Sequence, residues 1–305
     1  MRRAVVTPER PGPGPLPDAL LRALELRVAR RMEGLLAGDH RSAILGVGSE
    51  LQQVRPYEVG DDVRQIDWNV TARTNEVHVR VHIAERVLVT WLVLDVSPSM
   101  AFGTADRRKA DVAEGVALAV AHIASRRGNR LGVVSFGDGA TRTIPPRQGR
   151  AGMLGLLLAL QGLPAQPAAP PASLSDALAW TAGVARQRAV VVVVSDFRGA
   201  HDWRKPLLQL AGRHEVIAVE IRDPREQELP NVGELWLVDP ETSRLVRVDT
   251  ASARLRERFA SAAADERGAV AKTLAGAGAR HAVLSTEGDW LRALAASLRR
   301  RGGRR

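Results

Sequence analysis

The stretch Val87-Leu88-Val89-Thr90-Trp91-Leu92-Val93-Leu94-Asp95 is apolar almost throughout and stops at a carboxylate. A strand with one solvated face alternates apolar and polar residues, whereas a strand covered on both faces reads as a continuous apolar run. This stretch therefore predicts an inner strand of a parallel sheet. A second run, Ala189-Val190-Val191-Val192-Val193-Val194-Ser195-Asp196, has the same character and also ends in an aspartate.

Outward from these two strands the pattern alternates. Helical periods fall at 105–126, 153–160, 174–185, 203–212, 253–275 and 289–298, with further strands at 131–136, 141–144, 215–221 and 282–284. A short hairpin is expected to join 235–238 to 245–248 across Asp239-Pro240-Glu241-Thr242-Ser243. Such alternation predicts an α/β fold built on a doubly wound, mostly parallel sheet. Ahead of it, Leu20, Leu21, Leu24, Val28, Met32 and Leu35 recur at helical spacing after Asp18, and Val77, Val79, Val81 and Ile83 alternate as a half-buried strand should. Pro8 to Pro17, rich in Pro and Gly, reads as a disordered arm, and Gln166 to Pro171 as a loop. The expected organisation is an arm over 1–18, a helix-plus-strand segment over 19–86, the sheet domain over 87–298 and a basic tail over 299–305.

Composition narrows the chemistry. At 305 residues, 45% hydrophobic and 26% charged, the chain has the make-up of a soluble globular protein with ample core. No uncharged apolar run reaches the roughly 18 residues of a membrane span, and the start lacks the apolar stretch of a secretory signal, so the cytoplasm is the expected compartment. The absence of cysteine excludes disulfides, thiolate zinc sites, iron–sulfur clusters and cysteine nucleophiles, leaving oxygen or imidazole to hold any metal. A net charge of +10 invites nucleic acid, yet half of it comes from Arg299, Arg300, Arg301, Arg304 and Arg305, and 4% aromatic residues provide few stacking platforms. Nucleic-acid binding is not expected.

Open α/β sheets take their ligands beyond the carboxyl ends of the strands, which directs attention to Asp95 and Asp196. In Asp95-Val96-Ser97-Pro98-Ser99-Met100 the alternate spacing can aim a carboxylate and two hydroxyls at one point. Together with Asp196 these are hard oxygen donors that suit magnesium or manganese and leave a coordination position open. The competing reading makes both aspartates helix caps and has the serines bond turn amides. Other signatures fail: residue 97 is serine where a phosphoaspartyl phosphatase needs a second acid, and no Gly-x-Ser-x-Gly elbow, P-loop, HExxH pair or dinucleotide fingerprint occurs. His78 and His82 share a strand face but lie ~13 Å apart, too far for one ion.

The Asp95-x-Ser97-x-Ser99 segment resembles the metal-ion-dependent adhesion site of von Willebrand factor A domains. More closely, Arg55-Pro56-Tyr57-Glu58-Val59-Gly60-Asp61-Asp62-Val63-Arg64-Gln65-Ile66-Asp67-Trp68, then Ala72-Arg73, then Asp95 to Met100, resembles the bacterial family called domain of unknown function fifty-eight, often linked to MoxR-type AAA+ ATPases. Gly38 to Ser42, Gly46 to Glu50, Ser195-Asp196-Phe197 and Asp239 to Thr242 share in the likeness, which extends from about residue 20 almost to the C-terminus. The resemblance implies a von Willebrand factor A sheet in which Asp95, Ser97, Ser99 and Asp196 ligate the ion. At the threonine ligand position this chain has Ala172, so either Ser173 or water fills that place.

The Arg55 to Arg73 block sets Asp61, Asp62 and Asp67 beside Arg55, Arg64 and Arg73. It reads as a charge-paired turn with Tyr57, Ile66 and Trp68 packed inward, or as a partner contact, since no nearby histidine completes acid–base chemistry. Met100, beside the metal motif, is assigned to the same partner surface. The expected function is a non-enzymatic, metal-dependent interaction module, completed by an acidic side chain of a MoxR-like AAA+ ATPase in chaperone-like assembly. The alternative is a magnesium-dependent hydrolase of phosphate esters with Asp61 or Asp67 as base.

Overall fold

The structure is a computed structural model that describes residues 12–17, 19–22, 50–83, 88–126, 129–160, 171–238 and 245–298. The expected helix beyond Arg22, the family stretches before Glu50, most of the loop after Gln166, the turn at Asp239 to Ser243 and the basic tail lie outside the described residues. The chain forms two compact units, Ala29–Val87 and the remainder.

In the smaller unit β1 (Glu50–Pro56) pairs antiparallel with β2 (His78–Ile83). Between them lie a single 3-10 turn, Val63–Gln65, and α1 (Trp68–Thr74). Aspartates start both: Asp62 accepts from the Arg64 amide, and Asp67 accepts from the Asn69 and Val70 amides, meeting donors that a helix start leaves open. Asn75, at φ 57°, ends α1 in the left-handed conformation.

The larger unit is built on one six-stranded sheet of order β10-β7-β6-β3-β4-β5. In chain order its elements are β3 (Val89–Asp95), α2 (Lys109–Arg126), β4 (Arg130–Phe136), β5 (Arg142–Gln148), α3 (Gly149–Leu160), α4 (Leu174–Val184), β6 (Ala189–Ser195), α5 (Arg204–Arg213), β7 (Glu215–Arg222), β8 (Glu234–Val238), β9 (Leu245–Asp249), α6 (Ala253–Gly276), β10 (Arg280–Ser285) and α7 (Trp290–Ser297). All pairings are parallel except β4 with β5. Every residue of β3 and β6 is buried, as their apolar runs require. Alternate side chains serve two cores. Val89, Trp91, Val93, Val191 and Val193 pack with Leu178 of α4, Leu207 of α5 and Leu274 of α6, while α2, α3 and α7 are the remaining helices against the sheet. The hairpin β8–β9 forms its own two-stranded sheet. The fold is thus the doubly wound, mostly parallel α/β sheet that the alternation predicts.

Three differences are local. The helix expected from Ala105 begins at Lys109, because the preceding loop is held elsewhere: Thr104 donates its amide and hydroxyl to buried Asp223, at 2.7 and 2.5 Å. The next helix starts at Gly149 rather than Met153. Finally, Pro13 in the stretch expected to be a disordered arm accepts a 2.8 Å hydrogen bond from Trp290 Nε1 and so lies against α7. Among the described residues no helix is long and apolar enough to cross a membrane.

Candidate metal centre

Because β3 and β6 are parallel neighbours paired Leu94 to Val194, their carboxyl ends bring Asp95 and the Ser195-Asp196 step together. Ser195 Oγ donates to Asp95 Oδ2 at 2.6 Å, and the Ser97 amide donates to Oδ1 at 2.9 Å. Ser97 precedes the 3-10 turn Pro98–Ala101 without capping it, and its hydroxyl instead lies 3.1 Å from that of Ser99. Ser99 Oγ in turn donates to Asp196 Oδ2 at 2.8 Å. The structure thus brings four sequence-predicted residues, Asp95, Ser97, Ser99 and Asp196, into one hydrogen-bonded set.

Backbone features hold the set open. Phe197 has φ 53°, a conformation that strains a bulky residue by roughly 1–3 kcal/mol, and its amide bonds to Ser195 Oγ at 3.0 Å. Its buried ring packs edge-on to Trp203, centroids 5.5 Å apart, which offsets that strain and fixes the turn carrying Asp196. A cleft of about 800 Å³ opens over the set. Its other walls include Phe102, Arg198, Arg225 and, from the hairpin, Leu237 and Val246.

Two residues that the sequence reading did not use complete the electrostatics. Lys109, fully buried at the start of α2, donates to Asp196 Oδ2 at 2.6 Å and to Glu226 Oε1 at 2.7 Å. Burial pushes the Asp196 carboxyl up, but Lys109, Ser99 and the Arg198 amide outweigh it and hold the group below its ordinary range. Among the described residues Asp95 has no such cationic partner: burial and the neighbouring Asp196 charge push it up to about 6, against the bonds from Ser195 and Ser97. The signal for Lys109 was its rarity, one of three lysines among 44 basic residues.

Ser173 lies at the same cleft, with its hydroxyl committed to a capping box: it donates to Asp176 Oδ2 at 2.8 Å and accepts from the Asp176 amide at 3.2 Å. Ala172, at the threonine ligand position, also lines the cleft and has no side-chain oxygen. Met100 corrects an expectation. At 1% exposure its side chain is buried within the 3-10 turn rather than presented to a partner.

In the smaller unit Asp61 forms a two-pronged pair with Arg55, at 2.9 and 2.7 Å, which holds its carboxyl below the usual range. Asp67 is likewise held down, first by Arg80 Nε at 2.8 Å, so its partner lies outside the block rather than at Arg64 or Arg73. Trp68 is 69% exposed, not packed inward, while Tyr57 and Ile66 are half-buried.

Among the described residues no three His, Asp or Glu side chains converge as metal ligands. A divalent ion at the strand ends would depend on the serine hydroxyls as well as the carboxylates. The donor set fits a hard cation: all its side-chain donors are oxygen, and a buried carboxylate, Asp95, has no counter-charge of its own among the described residues.

The chain matches the family described as Protein of unknown function DUF58 over residues 53–269. It is 43% identical over 273 residues to an uncharacterized protein of Mycobacterium tuberculosis, Rv1480, covering 90% of this chain and 86% of that one. The same figures hold for Mb1516 of Mycobacterium bovis. Similar solved structures include protein BatB of Bacteroides thetaiotaomicron, at 12% identity, 69% and 97% coverage and a TM-score of 0.45. Another is the SpRpn10 VWA domain, at 16% identity, 67% and 92% coverage and a TM-score of 0.37. These structural likenesses are loose, whereas the sequence matches run through both units and leave no ambiguity: the chain belongs to the DUF58 family.

Proposed function

We propose that this chain is a metal-dependent protein-interaction module whose partner is a MoxR-like AAA+ ATPase, which it joins as an adaptor in the assembly of a larger complex. Asp95, Ser97, Ser99 and Asp196 would hold magnesium or manganese, with Ser173, which lines the same cleft, offering a hydroxyl for a further position. Bound there, the ion supplies an electrophilic position for an incoming carboxylate, the partner's Asp or Glu. The observation that carries this reading is the meeting of Asp95 and Asp196 with two hydroxyls at the floor of an open cleft. Arg198 and Arg225 at that cleft attract an acidic group, and the Gly137 turn keeps the serine loop in place.

The Arg55–Asp61 and Arg80–Asp67 pairs support a structural role for the first block, since carboxylates held ionised by arginine make poor proton acceptors. Its exposed members Trp68, Arg64 and Arg73 offer a second contact. The MoxR partnership rests on the family resemblance.

Affinity capture from the native lysate with wild type and Asp95→Ala, each in magnesium and in EDTA, tests the proposal. Identification of an AAA+ ATPase only with wild type in magnesium is expected. Capture indifferent to metal and mutation, or none at all, would overturn it.

A further inference from the structure

Lys109 occupies a place that local forces disfavour. It is the first residue of α2, where the helix already presents its positive end, and its ammonium is fully buried. Burial of an ammonium is tolerable only when its protons are met. Here two carboxylates, Asp196 and Glu226, accept at 2.6 and 2.7 Å, and the Phe102 ring stands 5.9 Å from Nζ. The carboxylates, not the helix, account for the residue. Glu226 is itself fixed, as its other oxygen closes the capping box with the Asp223 amide. In a chain whose basic residues are almost all arginine, this position carries the smaller cationic head.

We propose that Lys109 is a built-in counter-cation that keeps the metal centre assembled without metal and lowers its affinity for a divalent ion. The inference rests on the reading of Asp95, Ser97, Ser99 and Asp196 as that centre. Lys109 shares Asp196 Oδ2 with the Ser99 hydroxyl, so a second cation using that oxygen meets a fixed positive charge. The same contact keeps Asp196, Ser99 and Glu226 in place when no ion is bound. Lys109 is a positioning residue, and it sets the ion concentration at which the cleft becomes competent for an acidic partner.

Lys109→Met removes the charge and keeps most of the volume. Full-length wild type and variant are compared by thermal unfolding in EDTA and in saturating magnesium, and by magnesium titration calorimetry. Wild type, already held together by Lys109, is expected to gain less on going from EDTA to magnesium than the variant does. The variant should melt on the order of 5–10 °C lower in EDTA, because Asp196 and Glu226 lose their buried cation and Glu226 keeps only the longer pair with Arg198 at 3.7 Å, and recover most of that loss in magnesium. Its magnesium affinity should rise roughly tenfold. Lys109→Met combined with Glu226→Gln removes one of the two carboxylates that face Lys109 and preserves the comparison if the single variant does not fold. Equal affinity in wild type and variants, or a deficit that magnesium leaves unchanged, would overturn the role of Lys109. Magnesium binding by neither wild type nor a folded variant would instead overturn the metal reading beneath it.

Discussion

Gly137 lies so close to Ser97 that a β-carbon on residue 137 would come within 2.7 Å of both the Ser97 amide nitrogen and its Cβ. The turn after β4 therefore presses directly on the loop that carries the two hydroxyls. With φ 99°, residue 137 is also in a backbone region open chiefly to glycine.

Gly139, two residues on, has φ 94° but open space around it. Gly139→Ala should then cost only the backbone strain, about 1–2 kcal/mol, whereas Gly137→Ala adds a steric clash and should cost about 3 kcal/mol or more. Urea unfolding reads the difference, and magnesium calorimetry should show weaker binding for the 137 variant alone. Equal losses would show that the Ser97 contact relaxes freely.

Trp290 is held from two sides. Its indole NH donates to Pro13, and its ring fills the space above Gly115, where a β-carbon would approach to 2.3 Å. Gly115→Val should destabilise by about 2–4 kcal/mol through overpacking of α2 against α7. Removal of residues 1–17 should expose the ring, shift tryptophan emission to the red and lower the melting temperature.

Asp67 and Trp68 are adjacent, the first buried and the second exposed. Asp67→Ala removes two capping bonds and the Arg80 pair, so amide exchange across 67–80 should quicken. Trp68→Ala touches an exposed side chain and should change stability by no more than about 0.5 kcal/mol while weakening capture of the proposed ATPase partner. Rapid exchange in the Trp68 variant would argue for packing rather than contact.

His214 supplies a pH dependence. Its Nδ1 accepts from the Ala189 amide at 3.2 Å, while Nε2 is buried and meets no acceptor among the described residues. Burial, then Arg213 and Arg188, lower its pKa below the usual value. The unfolded imidazole takes up its proton near pH ~6.5 and the folded one only at lower pH, so this contribution to stability is complete above ~6.5 and is lost as pH falls toward the folded value. The slope reaches at most about 1.4 kcal/mol per pH unit. His214→Asn keeps an acceptor for Ala189, and urea unfolding at stepped pH should show that slope reduced.

What could be read from the sequence follows what burial dictates. The valine and leucine runs of β3 and β6 were legible because coverage on both faces leaves no other composition, and the alternating helices followed from period alone. Asp95, Ser97, Ser99 and Asp196 were found because strand ends are where such sheets gather polar groups. Lys109 was not, since its partners lie 87 and 117 positions away and nothing in its neighbours announces them. Met100 was placed on the surface because sequence does not show which way a 3-10 turn faces. The seven residues of α1 have no apolar period, and only the cap at Asp67 marks their start.

One edge of the large sheet is β5, whose Arg142-Thr143-Ile144-Pro145-Pro146-Arg147-Gln148 interrupts its pairing with β4 where the prolines sit. Proline has no amide proton, so two in succession deprive this border of the donors a further strand would need. Arginines at 142 and 147 add like charge that a second copy would have to approach. The border therefore works as a stop against edge-to-edge addition of a further strand on this side of the sheet.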